Sequence, residues 1–312
     1  MRALPTLEAA RLSLRLLAFC ISAIAGIAGA RAQSADPAVP TGTDPGGLAV
    51  AVISTGIDYT LPQITARLAR DGEGEIIGYD FADDDRRPFK QPDDLEGMGY
   101  SDRGTAMART VVRRSPAVRL IPVRIESDSP EQIAQGMGFA AQTPARVVIV
   151  AIKSTSVTLW AAVADAAKKA GPKVLFIVAA GENPLDENHI KDHLVPSLAS
   201  AANILIVMAC LIDGNALSTA EGAETNADIA VNAAAFTAEL ISQDTFSWKP
   251  ESSIAAAEVA ALAARLGTME PGFNAGQMKA AIINLAKPFA DGQVPIAKSG
   301  WIAEPWRLFQ HN

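Results

Sequence analysis

Few side chains in this 312-residue protein are able to do chemistry, and they are scattered. Ser252 and Ser253 stand together at the head of an alanine-rich run, Ala255 to Ala264. A serine hydroxyl there has two uses. It attacks a carbonyl if a base removes its proton, or it caps a helix by accepting hydrogen bonds from free backbone N–H groups. Capping is the expectation for Ser253. The three histidines are His189, His193 and His311. His189 and His193 are four apart, with Glu187 and Asp192 beside them, so on a helix both imidazoles would share a face suited to zinc. No third ligand accompanies them, and a solvated loop is the expectation. Asp83, Asp84 and Asp85 form an acidic run that offers oxygen ligands to calcium. The run lacks the alternating ligand spacing of a dedicated loop. The chain is therefore expected to hold no metal and no cofactor.

Such groups need elements to position them. From Leu48 onward, apolar runs alternate with amphipathic stretches. The runs are Leu48–Ile53, Val118–Ile125, Val147–Ile152, Val174–Ala180 and Ile204–Leu211. They are rich in β-branched residues and lack period-two alternation, which predicts strands buried on both faces of a parallel sheet. Between them, Gly104–Arg114, Pro130–Ala141 and Leu159–Ala170 read as helices. Strand and helix in alternation predict an α/β fold, a doubly wound and mostly parallel sheet with helices on both faces. Cys210 lies inside the last apolar run and is expected as a small buried hydrophobe. The alanine-rich stretch predicts a helix that packs closely. Trp301, Trp306 and Phe309 give the end of the chain an apolar character that predicts a tail folded back on the core.

Several segments resemble one family in order. Leu48 to Asp58, reading Leu-Ala-Val-Ala-Val-Ile-Ser-Thr-Gly-Ile-Asp, is similar to the first core strand of the subtilisin-like serine proteases. Gly78-Tyr79-Asp80-Phe81 with the acidic run after it, and Leu120 to Arg124, resemble further segments of that family. So do Arg103-Gly104-Thr105-Ala106-Met107-Ala108, Val178 to Glu182, Pro196-Ser197 ahead of Asn203-Ile204, and Ser252 to Ala256. The resemblance implies a subtilisin-like domain over 48–290, with a lead-in before it and a tail, 291–312, after it.

The same resemblance assigns the triad positions. Ser253 falls on the nucleophile, Arg103 on the histidine and Ser54 on the aspartate. In that mechanism histidine takes the serine proton and the aspartate orients and stabilises the imidazolium. A guanidinium stays protonated and has no acceptor lone pair, and Ser54 carries no charge. Glu182, or Asn183 in a shifted alignment, falls on the oxyanion asparagine. A carboxylate there repels the developing oxyanion, and loss of one such donor costs about 10²–10³ in rate. An Arg103–Glu182 pair filling the old cleft is expected. The substrate-binding edge of the family corresponds to Ile152, Lys153 and Ser154, with strand addition expected beside Ile149–Ser154. Ala257 and Glu258 stand where the family commonly has Pro-His. The implied protein is a catalytically inactive homologue that binds a polypeptide. The alternatives are a serine hydrolase using Ser253 with non-standard helpers, and a structural subunit of a secreted assembly.

The N-terminus predicts the compartment. Arg2, Arg11 and Arg15 precede an apolar run from Leu16 to about Ala30, and Ala30-Arg31-Ala32 fits a signal-peptidase site. Residues 1–32 read as a cleaved signal, leaving a periplasmic or secreted protein that is not embedded in a membrane. Residues 33–47, rich in Pro, Gly, Ser, Thr and Asp, read as a flexible lead-in. Removing four basic residues and one acidic residue with the signal takes the formal net charge from −7 to −10. Such a chain is not built to neutralise phosphates, so a polypeptide rather than a nucleic acid is the expected partner.

Overall fold

The computed structural model describes residues 36–90, 103–126, 129–152, 156–180, 198, 200–210, 227–232, 252–291 and 295–309. All of them belong to the unit Asp36–Asn312. Among the described residues, eight strands form one sheet in the order β2-β3-β1-β4-β5-β6-β7-β8, and every neighbouring pair is parallel. They are β1 (Ala49–Ser54), β2 (Tyr79–Asp80), β3 (Arg119–Arg124), β4 (Ala145–Val150), β5 (Leu175–Ala179), β6 (Ile204–Cys210), β7 (Ile229–Asn232) and β8 (Trp301–Ile302). The described α-helices are α1 (Arg103–Arg114), α2 (Pro130–Gln142), α3 (Val157–Ala170), α4 (Ser252–Met269) and α5 (Ala275–Ile283), beside a short turn at Pro62–Thr65. Among the described residues no helix is long and apolar enough to cross a membrane.

The continuous apolar runs have their physical cause here. Every residue of β1, β5, β6 and β7 is buried, so neither face of those strands meets water. Successive side chains on a strand point to opposite faces, and the end of β1 shows what covers each. A Cβ placed on Gly136 of α2 would lie 3.7 Å from Ile53, whereas one placed on Gly104 of α1 would lie 2.4 Å from Ser54. Helices α2 and α3 pack together, as do α1 and α4. The sheet is thus covered on both sides.

Pro122 sits within β3 without breaking it. The N–H of Leu120, two residues earlier and so on the same side, donates to the Arg67 carbonyl. On that side β2 joins only at Val123, so the missing donor of Pro122 falls in a gap of the ladder. Helix α4 is buried over Ser252–Gly267, all the way round. A helix of that kind belongs in a core, and its alanines let it lie against β4, β5 and β6 while it packs on α1.

Two segments differ from expectation. Residues from Asp36 to Gly47 have the composition of a flexible lead-in but are tied down. The Tyr59 hydroxyl donates to the Pro37 carbonyl, and Arg70 Nη2 donates to the Pro40 carbonyl. Asp44 accepts from the Gly46 and Arg70 N–H groups and from Arg119 Nη1 at 2.9 Å on both oxygens. The tail, placed outside the main domain, supplies β8 to the sheet beside β7. It folds back as its apolar residues suggested, with Trp306 buried and its ring beneath the Arg114 guanidinium at 4.8 Å.

Candidate functional site

The chain runs from β1 outward to β2 and β3 on one side, then crosses to β4 on the other. Open α/β sheets bind ligands at the carboxyl ends of the strands where the order reverses in this way. Ser54 closes β1 at that point, and Ile152 follows the end of β4.

Ser54 is buried, and its hydroxyl is used locally. Oγ accepts the Gly56 N–H at 3.3 Å and donates to the Gly56 carbonyl at 3.2 Å. The turn presses against the start of α1. A Cβ on Gly104 would come within 1.9 Å of the Gly56 carbonyl oxygen, so only glycine fits. One residue on, Thr105 Oγ1 accepts the Asp58 N–H at 2.8 Å. These contacts seat the first residue of α1, the half-buried Arg103, beside the Ser54 turn.

Ser253 comes from α4. The Arg265 guanidinium of α4 donates to the Arg114 carbonyl at the end of α1. Arg114 Nε reaches Glu258 of α4 at 2.8 Å, back toward the amino end, as helical side chains slant. The two helices therefore run in the same sense. At 1.5 Å per residue, Arg103 lies about 17 Å before Arg114 and Ser253 about 18 Å before Arg265. Both therefore lie at the same end of the pair. Ser252 Oγ accepts the Ala209 N–H at 3.1 Å, which pins that end of α4 to β6 near the carboxyl edge of the sheet. The fold thus brings Ser54, Arg103 and Ser253 to one edge. Ser253 is the second described residue of α4, and it is buried.

Other expected site residues have different fates. Glu182, Asn183, Lys153, Ser154, His189 and His193 lie outside the described residues, and so does the expected Arg103–Glu182 pair. Ile152 is buried. Ile149 and Val150 are paired with β1 on one side and β5 on the other, so neither has an open edge for an added strand. Of the acidic run, Asp83 joins a cluster while Asp85 accepts the Arg87 N–H. The clustered carboxylates are Asp36, Asp80 and Asp83, whose oxygens lie within 4.8 Å of one another. Arg124 Nη1 donates to Asp80 at 2.6 Å and to Asp83 at 2.5 Å, supplying the countercharge. Burial pushes the Asp80 carboxyl above its ordinary range, against hydrogen bonds from Asp83 and Ala82 N–H groups and the Arg124 charge. Asp36 and Asp80 gave no sequence signal as members of a cluster, being 44 residues apart in the chain.

The sequence matches the Subtilase family of the S8 peptidases over residues 46–300. A thermophilic serine proteinase of Bacillus sp. strain AK1 is 33% identical over 112 residues, a stretch covering 33% of this chain and 25% of that protein. Among solved structures, a cold-adapted subtilisin-like serine proteinase superposes with a TM-score of 0.56 at 18% identity, over 88% of this chain and 94% of that one. Fervidolysin from Fervidobacterium pennivorans, a keratinolytic enzyme related to subtilisin, gives 0.56 at 19% identity, over 86% of this chain and 43% of that one. Likeness at this identity speaks for the fold. Together with the family match across most of its length, it means that this chain belongs to the subtilase family.

Proposed function

We propose that this chain is a secreted, catalytically inactive subtilase homologue whose old cleft serves to bind a polypeptide. One observation carries the reading: where the family aspartate would stand beside α1, Ser54 offers an uncharged hydroxyl already engaged with Gly56. Arg103 at the head of α1 has no lone pair with which to accept a proton from Ser253. A serine without a base is a poor nucleophile. The position of the site supports binding, because Ser54, Arg103 and Ser253 lie at the carboxyl edge of the sheet, where such folds hold ligands. An incoming peptide strand would engage the chain beyond Val150, since β4 itself is flanked on both sides. The periplasm or the cell exterior is the compartment, on the strength of the predicted signal segment.

The test is labelling of the folded protein with a fluorophosphonate serine probe, with Ser253→Ala as control. No labelling is expected. Labelling that disappears in Ser253→Ala would establish an activated Ser253 and replace this reading with that of a hydrolase. In the unlabelled protein, a partner polypeptide that dissociates when the cleft is altered separates a binding module from a structural subunit.

A further inference from the structure

Away from the cleft, at the β2 edge of the sheet, three aromatic rings cluster and stay partly exposed. Tyr79 and Phe81 have centroids 4.8 Å apart, and Phe139 of α2 lies 5.9 Å from Tyr79 and 6.0 Å from Phe81. They line a cavity of about 690 Å³ with Ile76, Ile77 and Gln135. That volume is within the range of ligand pockets. Gln135 and Phe139 are four residues apart and so share one face of α2.

The charges of the lining choose the ligand. Asp71 and Asp84 stand against Arg86. Asp71 Oδ1 accepts the N–H groups of Glu73 and Glu75, which fixes its carboxylate and adds two acidic residues to the same turn. The Tyr79 hydroxyl donates to Asp84, whose backbone holds a left-handed φ of 55°. That conformation is uncommon outside glycine, asparagine and aspartate. Ring faces carry a negative quadrupole and attract cations, arginine most often. A neutral aromatic guest would fill the rings without bringing a charge to meet Asp84, and an acidic guest would be repelled by Asp71 and Asp84.

We propose that this pocket is a second binding site, which takes the basic side chain of a polypeptide, with an arginine guanidinium laid on the Tyr79–Phe81–Phe139 rings and paired with Asp84. The inference rests on the polypeptide-binding reading only for the source of that side chain.

The probe is N-acetyl-argininamide, titrated into the intact folded protein by NMR, with N-acetyl-leucinamide and N-acetyl-glutamic diamide as comparisons. Saturable binding of the arginine probe in the millimolar range is expected, with the other two at least tenfold weaker. Phe139→Leu keeps an apolar side chain without the quadrupole, and Asp84→Asn keeps the backbone preference without the charge. Each is expected to weaken the arginine probe about fivefold, the size of a modest cation–π or charge contact. No saturable binding, equal binding of all three probes, or unchanged binding in both variants overturns the proposal. Neither probe nor variants involve Ser253, so an active cleft would leave this site standing, and a failed pocket would leave the cleft reading intact.

Discussion

Arg114→Ala removes one partner of a buried ion pair between α1 and α4. Glu258 is fully buried in α4, and among the described residues its Oε2 has no hydrogen-bond partner. Arg114 Nε meets Oε1 at 2.8 Å. Burial pushes the Glu258 carboxyl above its usual range, and Arg114, Arg113 and Arg265 pull it back only in part. Deleting one partner of a buried pair leaves an uncompensated charge, a loss of about 3–5 kcal/mol. Arg114 keeps some access to solvent, so the lower end applies, about 3 kcal/mol. At about 2–4 °C per kcal/mol for a domain of roughly this size, the melting temperature should fall by about 6–12 °C at pH 7. Glu258→Gln should cost less, about 1 kcal/mol, because the remaining guanidinium still has the Trp306 ring and water. The double variant should recover at least half of the single loss.

The same substitution has a signature in pH. The native Glu258 binds a proton more readily than its unfolded counterpart, whose pKa is about 4.3. Stability from this group therefore falls as pH rises from that value through the raised folded pKa, and is recovered on acidification. Without Arg114 the folded pKa climbs further, so the penalty at neutral pH grows and so does its relief. The gap between Arg114→Ala and the parent should narrow between pH 7 and pH 5. Thermal and urea unfolding across that range read the effect. A gap independent of pH, or single losses that simply add in the double variant, would refute a buried charge as the cause.

Three further perturbations test the frame of the site. Gly104→Ala should destabilise by at least about 3 kcal/mol in a thermal melt, because the new Cβ meets backbone at 1.9 Å and overpacking against yielding side chains already costs about 1–3. Asp44→Ala should loosen the segment before β1 and cost about 1–2 kcal/mol, read as faster proteolysis ahead of Leu48. Although burial opposes it, bonds from the Arg70 and Gly46 N–H groups and from Arg119 hold the Asp44 carboxyl below its ordinary value. Its stabilisation is thus complete above about pH 3.9, the unfolded value, and is lost as pH falls through the lower folded pKa. Trp306→Ala should cost about 3 kcal/mol, the low end for a buried aromatic, and release the final turn to protease.

The five apolar runs were legible because a parallel sheet covered on both faces asks every residue of a strand to be apolar, as in β5 and β6. β7 and β8 were not. Four residues and two residues are too short to show a period, and their conformation comes from pairing with the strand next door. The segment 36–47 misled because composition records intrinsic preference only. Its order comes from Arg70 and Arg119, whose bonds to Asp44 span 26 and 75 residues. Ser54 and Arg103 were assigned by resemblance, and the segments that carry them meet through backbone geometry. Gly104 and Gly56 cannot be exchanged without collision. Glu258 stood out as a departure from Pro-His, but nothing in the sequence names a partner 144 residues away.

The seam between α1 and α4 and the ends of those helices answer to different constraints. Along the seam, Arg114, Glu258 and Arg265 join the helices to each other and to the carbonyls of Pro305 and Leu308. Each is desolvated, so a change at one strands charge on another. At the ends, Ser54 is satisfied within its own turn and Arg103 is only half-buried. A substitution at such an end leaves the bonds of Arg114 to Glu258 and of Arg265 to the Arg114 carbonyl along the seam in place. The end positions of Ser54 and Arg103 and the pairing along the two helices are thus separable in this chain. The separation has a measurable form. Arg103→Ala should shift the melting temperature by much less than Arg114→Ala, although both remove a guanidinium from the same helix. Equal losses would mean that the cleft end carries the fold as well.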